Sequence, residues 1–297
     1  MPGTIGLFLR SLDNDYQRRL KEVAEREAEQ RGFEIFVQSA QFDPSQQNAQ
    51  IREAIKNAAT SKLVAILVSG VHDEGLRPVA QEAAEAGLDW ALLNEGAFID
   101  DVRSQYPGRA IFAVTCDQTE IGRIHGQQVR SLLGKAGRVL CVTGHMRNVA
   151  ALRRLEGLKA SLNGNFEVVE LNADWTSEGA RMAVERWTSA TTSEKDLPGM
   201  FVAHNDEMAL GVRQALRDFD SQHNLPLAGA PITGCDGSRT FGQRLVREGR
   251  LKATVIMPPA SGVAIEWIDR AHAQGQLPPV RVLLPVASFP ALPRLQR

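Results

Sequence analysis

Two apolar runs in this chain stop abruptly at polar residues. Met200 to Ala203 leads into His204-Asn205, and Ala230 to Thr233 leads into Gly234-Cys235-Asp236-Gly237. Runs this short suit buried parallel strands better than helices. Asn205 stands at the N-cap position of the helix that follows, and Asp206 and Glu207 fall in its first turn, where acidic side chains favour the helix dipole. Both Asn205 and Asp236 therefore leave the carboxyl ends of adjacent strands, where open α/β sheets place ligands. An amide donates and accepts hydrogen bonds and a carboxylate accepts them, so the pair suits a polar ligand. The bland alternative is that Asn205 only caps a helix and Asp236 only sits in a turn.

Covalent chemistry finds no support. Neither G-x-G-x-x-G nor G-x-x-x-x-G-K-[ST] follows a strand, G-x-S-x-G is absent, and no Ser/His/Asp set has supporting spacing. Cys116, Cys141 and Cys235 lie in or at the ends of expected strands, without C-x-x-C spacing. They read as small buried thiols, not as a disulfide, metal site or nucleophile. The six histidines show no metal-ligand spacing, although His204, beside Asn205, could line a crevice. No cofactor or metal is expected.

The elements that must hold these residues alternate regularly. Apolar runs at Thr4 to Leu9, Phe33 to Val37, Leu63 to Val68 and Asp89 to Leu93 read as strands. Helices over Asp15 to Arg31, Asp43-Pro44 to about Thr60, and Asp73 to Ala86 separate them. Gly32 and Gly87 end the first and third, and Pro44 sits in a tolerated first-turn position. Such repeats imply right-handed crossovers and a parallel sheet. Phe98 to Arg109 breaks the rhythm.

The alternation then resumes. Strands are expected at Ala110 to Thr115, Arg138 to Val142, Phe166 to Leu171, Leu251 to Ile256 and Arg281 to Leu284. Helices are expected at Asp117 to Leu133, Asn148 to Leu162, Ser177 to Ser189, Ser238 to Glu248 and Ala260 to Ala273. The two halves look like one α/β unit used twice, and 297 residues suffice for two lobes.

The net charge of −1 supplies no basic excess for nucleic acid or an anionic membrane, and 43% hydrophobic with 23% charged residues is ordinary for a globular protein. No apolar stretch approaches the length needed to cross a bilayer. Met1-Pro2-Gly3 runs straight into the first strand with no secretory signal before it. A mature domain behind a new start Met and a protein resident in the cytoplasm both fit.

AHNDEMALG followed by GCDG resembles the type I periplasmic binding proteins, the sugar-binding group related to ribose-binding protein and to the core of LacI-type repressors. The resemblance extends through TIGLFLRSLDNDY, ILVSGVHDEGL, VTCDQTEIGR and ATVIMPP, nearly the whole chain. It implies two Rossmann-like lobes with parallel sheets, joined by a three-segment hinge with crossings near Val114 to Cys116, Met257-Pro258 and Leu284-Pro285. The expected N-terminal lobe is 1–115 plus 258–283, the C-terminal lobe 116–257 plus 284–297, with a ligand cleft between.

The resemblance also implies a pocket in which aromatic rings stack on a sugar and polar groups bond its rim. Asn14 and Tyr16 stand where the family carries an amide and an aromatic, Trp175 where another aromatic is expected, and Asn205 and Asp236 match the polar pair of the second lobe. Departures are equally specific. Arg10 replaces a small hydroxyl residue, and Asn94-Glu95 replaces Asp-Arg. Leu152 stands where an Arg is expected, with Arg147, Arg153 and Arg154 close by, and Met257 replaces a Gln. These changes argue against ribose itself. Arg10 either recognises ligand or pairs with Glu95.

The resulting expectation is a monomeric, non-enzymatic solute-binding protein for a sugar or sugar derivative, serving an ABC permease or a sensor protein. The family's export makes the periplasm the expected compartment, with the cytoplasm as alternative. The competing reading is the effector-sensing core of a LacI-type regulator lacking its DNA-binding headpiece. Neither nucleic acid nor membrane insertion is expected.

Overall fold

The computed structural model describes residues 3–72, 75–94, 96–162, 164–190, 197–223 and 227–295. The chain opens with β1 (Thr4–Leu9), α1 (Asp15–Arg31), β2 (Glu34–Ser39), α2 (Pro44–Lys56), the single turn α3 (Ala58–Ser61), β3 (Leu63–Val68), α4 (Leu76–Glu85), β4 (Asp89–Leu92), α5 (Phe98–Gln105) and β5 (Ile111–Cys116). It continues through α6 (Gln118–Leu133), β6 (Gly137–Thr143), α7 (Val149–Ser161), β7 (Phe166–Asn172), α8 (Ser177–Ala190), β8 (Met200–Ala203), α9 (Asp206–His223), β9 (Ile232–Asp236), α10 (Gly242–Arg247) and β10 (Ala253–Ile256). Last come α11 (Ala260–Gln274), β11 (Arg281–Leu284), β12 (Ala287–Phe289) and a 3-10 turn at Leu292–Arg294.

Two compact units divide the chain: Met1–Cys116 with Pro259–Leu284, and Asp117–Pro258 with Pro285–Arg297. The first contains a six-stranded sheet in the order β11-β5-β4-β3-β1-β2, all pairs parallel. Alternate side chains of one strand point to opposite faces, and both faces here are apolar. Ile5, Leu7 and Leu9 of β1 pack with α1 and α11, whereas Phe8 packs on the other face with Ile51 and the α4 residues Leu76, Val79 and Ala83. A strand covered on both sides must read as a continuous apolar run, which is why TIGLFL does not alternate.

The second unit repeats the plan with the order β12-β10-β9-β8-β6-β7. Leu140, Val142, Phe201 and Ala203 face α8 and α9, and Val139, Cys141, Met200 and Val202 face α6 and α7. Side-chain caps start the helices where the sequence places them. Asn14 accepts from the Gln17 N–H, Asp43 from Ser45 and Gln46, Asp117 from Glu120, and Asn148 from Ala150. Gly32 ends α1 at φ 75°, a conformation that costs a residue without Cβ least.

Three features differ from the sequence expectation. Phe98 to Arg109 is not irregular, because it contains α5. Phe98, Ile99 and Val102 bury one side of that helix, and Asp100 and Asp101 lie in its first turn. The helix expected to run to Thr60 breaks at Asn57 into α2 and α3. The sheet of the second unit is not wholly parallel, since β12 pairs antiparallel with β10 at its edge. The buried Gln128 amide pins that edge strand, donating to Ser288 Oγ (3.0 Å) and to the Thr254 carbonyl (3.3 Å). The expected start of the third helix at Asp73 lies outside the described residues.

Candidate ligand-binding site

In each unit the polar residues gather at the carboxyl ends of the strands. In the first unit, β1 gives way to Arg10 and Ser11, and Asn14 caps α1 with its Oδ1 accepting from the Gln17 N–H at 3.0 Å. Side-chain amides fasten the segment after β3. Gln17 donates to Ser69 Oγ (3.0 Å), Gln47 donates to the Ser69 carbonyl (3.0 Å) and accepts from the Val71 N–H (2.9 Å), and Asn94 accepts from the Gly70 N–H (3.1 Å). All of these side chains are buried. Arg10, Asn14 and Asn94 thus share one edge of the sheet. Tyr16, in the first turn of α1, is half-buried against the cluster containing Ile5, Leu7 and Leu9. Glu95 lies outside the described residues. Gln17, Gln47 and Ser69 carry no motif, and their role follows only from which strand end each one reaches.

In the second unit Asn205 uses both ends of its amide. Its Oδ1 accepts from the Met208 N–H (2.7 Å), which caps α9, and its Nδ2 donates to the Trp175 carbonyl (3.0 Å). The cap and the loop after β7 are thereby tied together. Trp175 holds a left-handed backbone (φ 73°) and is buried, its indole filling the space where a Cβ on Gly144 would sit. Asp236, the last residue of β9, is also left-handed (φ 94°) and buried, and its carbonyl accepts from the Met257 N–H at 3.1 Å. Trp175 and Asn205 follow β7 and β8, and Asp236 ends β9, all on the same edge of the sheet.

Arg154 is the residue that sequence spacing left undistinguished from its neighbours. Leu152 points to solvent, 40% exposed, whereas Arg154 is 4% exposed and runs inward from α7. Its Nε donates to Gln118 Oε1 (2.8 Å), its Nη1 to the His204 carbonyl, and its Nη2 contacts Met257 Sδ (3.1 Å). The guanidinium carbon lies 5.4 Å from the Trp175 ring centroid, a cation–π distance. Met257, where the family pattern suggests Gln, therefore presents its sulfur to a cation and to Cys235 Sγ (3.4 Å). The one signal for Arg154 was helical phase: from Gly157, the inward position three residues back is 154.

Asp206 is the second such residue. It is fully buried, with Oδ2 accepting from the Gly237 N–H (2.8 Å) and Oδ1 from Thr254 Oγ1 (2.7 Å). Gly234 and Gly242 give it room, since a Cβ on either would overlap the carboxylate. The two motifs around Asn205 and Asp236 are in register because one motif's carboxylate is bonded to the other's main chain.

His204 and His125 are kept neutral. Burial is the main cause, and the Arg154 charge adds to it; His204 is held well below the ordinary histidine value, and His125 is pushed from 6.5 to about 3. His204 Nδ1 accepts from the Gly144 N–H (3.2 Å), which leaves its proton on Nε2, 3.7 Å from Cys141 Sγ. Neither ring nitrogen of His125 meets a hydrogen-bond partner, and the nearby Gln128 amide offsets only part of the burial. The sign of the linkage is fixed by the depressed folded value. Stability is complete above pH 6.5 and is lost as pH falls toward about 3, because the unfolded chain takes a proton that the fold refuses. Each such histidine removes about 1.4 kcal/mol per pH unit in that window. Denaturant unfolding between pH 7 and 4.5 should show this slope, and His125→Gln should flatten it. An equal slope in that variant would show that His125 titrates freely in the fold.

The thiols are chemically quiet. All three cysteines are free and buried, and burial pushes Cys141 up to about 12 and raises Cys235 as well. Among the described residues no group of His, Cys, Asp and Glu could hold a metal, and no helix is long and apolar enough to cross a membrane.

A family model described as the periplasmic binding protein domain matches residues 5–275. The chain belongs to that family. Among relatives of this periplasmic binding protein, the ribose import binding protein of Haemophilus influenzae is 26% identical over 258 residues, covering 86% of this chain and 80% of the relative. The galactofuranose-binding protein of Escherichia coli is 24% identical over 282 residues, covering 93% of this chain and 84% of its own. The fold matches, at a TM-score of 0.82 and 22% identity over 96% of each chain, an ABC transporter periplasmic solute binding protein from Actinobacillus succinogenes with bound D-allose. The family is one of solute-binding proteins, and the two α/β units described above are its type I architecture.

Proposed function

We propose that this protein is a non-enzymatic solute-binding protein that captures a sugar or sugar derivative for ABC-type uptake or for signalling. The observation that carries the reading is the Asn205–Asp236 edge of the second unit, set beside Trp175, in a family whose relatives bear the names of sugar-binding and sugar-import proteins. Under this proposal one ligand is shared by two lobes: 1–115 with 258–283 contributes Arg10, Asn14, Tyr16, Asn94 and Glu95, and 116–257 with 284–297 contributes Trp175, Asn205 and Asp236. Ligand shifts the population toward a closed form by its greater affinity for that form. The protein acts as a monomer in the periplasm, and an ABC permease or a sensor reads its closed state. The relatives' names favour this over a regulator core.

A thermal-shift screen over monosaccharides, sugar alcohols and other polyols should identify the ligand, because binding to the folded form alone raises Tm. Calorimetry then tests the site. At φ 94° an Ala would add backbone strain, so Asp236→Asn is the cleaner variant, since Asn tolerates the left-handed region. It should weaken binding by roughly one to two decades, the cost of a lost charge-assisted bond, with little change in Tm. Arg10→Ala should reorder the preference between the best ligand and its nearest epimer, because a planar donor fork selects acceptor geometry. Unchanged affinity in Asp236→Asn would remove that residue from the site, and an unchanged ranking in Arg10→Ala would deny it a part in specificity.

A further inference from the structure

A pocket opens at the amino-terminal edge of the second unit's sheet. It has a volume of about 330 Å³ and is lined by Arg213, Arg217, Arg250 and Lys252, by the segment Ala228, Gly229 and Ala230, and by Glu248 with Gly249. Lys252 immediately precedes β10 and Ala230 lies just before β9, so the pocket is at the amino ends of strands whose carboxyl ends carry Met257 and Asp236. The length of the sheet separates the two places.

Four cations meet there from two stretches of chain far apart in sequence. Arg213 and Arg217 are one helical turn apart on α9, a like-charge spacing that mildly destabilises a helix. Arg213 is 9% exposed and clamps main chain: Nε and Nη2 donate to the Arg250 carbonyl (3.2 and 2.8 Å), and Nη1 donates to the Ala228 carbonyl (2.6 Å). All its partners are neutral carbonyls. Among the described residues Arg217, Arg250 and Lys252 have no carboxylate partner. The lone acid of the lining, Glu248, already faces Arg244 at 3.7 Å. Burial holds the Arg213 guanidinium below its ordinary range, and the charges of Arg217 and Arg250 add to the effect. In a chain of net charge −1 this is a local excess of one sign: four cations against Glu248 in the lining, with the Asp220 carboxylate beside it accepting from the Leu227 and Ala228 N–H groups (2.8 and 2.6 Å).

We propose that this pocket binds a phosphate group, and that its ligand is inorganic phosphate or a small soluble phosphomonoester. Guanidinium forks match the oxygens of a phosphate in pairs, and an ammonium adds a point charge that tolerates any approach. A doubly charged oxyanion relieves the mutual repulsion of four cations in a way that solvent alone does less well near a half-buried floor. Cβ atoms on Gly229 and Gly249 would meet nothing within 4 Å, so the walls leave space for a substituent beyond the phosphate itself.

Calorimetric titration of the intact protein with inorganic phosphate and with glycerol 3-phosphate, at ionic strength held constant with sodium chloride, tests the proposal. One saturable site is expected for at least one of the two anions. In the double variant Arg217→Gln/Lys252→Gln, whose side chains are exposed and clamp no main chain, affinity should fall at least about tenfold. Its Tm in phosphate-free buffer and its affinity for the sugar found by screening should stay unchanged, which keeps this site's test separate from that of the sugar site. Preference for the ester assigns an organic phosphate, and preference for the free ion assigns phosphate itself. No saturable binding of either anion, or equal affinity in the double variant, overturns the proposal.

Discussion

Asp206→Ala is expected to destabilise the second unit by about 2–4 kcal/mol, since each buried donor left unsatisfied costs about 1–3 kcal/mol. The carboxylate accepts from the Gly237 N–H and from Thr254 Oγ1, both of them buried. Gly234 and Gly242 lie against the carboxylate, so truncating it also removes packed volume from a buried place. Asp206→Asn separates these effects. It preserves volume and one acceptor but turns an amide N–H toward either Gly237 N–H or the Thr254 hydroxyl, and should fall between wild type and Ala. The measurement is equilibrium denaturation in urea. A loss below about 0.5 kcal/mol, the range of ordinary surface changes, would show that the bonded pair of motifs does not depend on this carboxylate.

Replacing Arg154 should have an effect of similar size with a different signature. Arg154→Leu removes the guanidinium bonds to Gln118 Oε1 and to the His204 main-chain carbonyl and takes the cation from the Trp175 face. Burying a charge is itself unfavourable, so the leucine recovers part of the loss. The net expectation is a destabilisation of about 2–3 kcal/mol, from two lost charge-assisted bonds less the relieved desolvation. The signature lies in the histidines. The Arg154 charge is the second cause, after burial, that holds His125 and His204 low. Without it both should titrate at higher pH, and acid destabilisation should become shallower. Histidine ring shifts followed by NMR through pH 7 to 4 would register the change, and unmoved titration curves would remove Arg154 as a cause. Arg154→Lys cannot form the same three contacts from one planar group and is expected to rescue the titration but not the stability.

These two residues mark the boundary between what was legible in the linear chain and what was not. Strand and helix placement was legible, because it depends on short-range facts: apolar runs that both sheet faces must bury, and caps that bond within three residues. Met200–Ala203 and Arg281–Leu284 are strands over the ranges their apolar content indicates, and Asn205 caps α9 because its amide reaches the Met208 N–H. The fold family was legible for the same reason, since its motifs are strand ends followed by helix starts. Helix α5 is hard to see in the linear chain, because acidic residues and a proline suit a loop as well as they suit a helix's first turn and its stop, and only burial of Phe98, Ile99 and Val102 decides between the two.

The roles of Asp206, Arg154 and Gln47 could not be read that way. Asp206 meets its partners 31 and 48 residues on, Arg154 bonds His204 across 50, and Gln47 reaches β3's end across 22. A first-turn acid, a helical arginine and a surface-type glutamine look alike in sequence whether they meet solvent or another strand's main chain. Packing decides which. Close crossing of α6 and α7, where a Cβ on Gly122 or Gly157 would run into the other helix's main chain, brings Arg154 within reach of Gln118. The three-residue β12 was likewise invisible, because too short a run carries no pattern, and it exists only where β10 offers an unpaired edge and Gln128 a second hold.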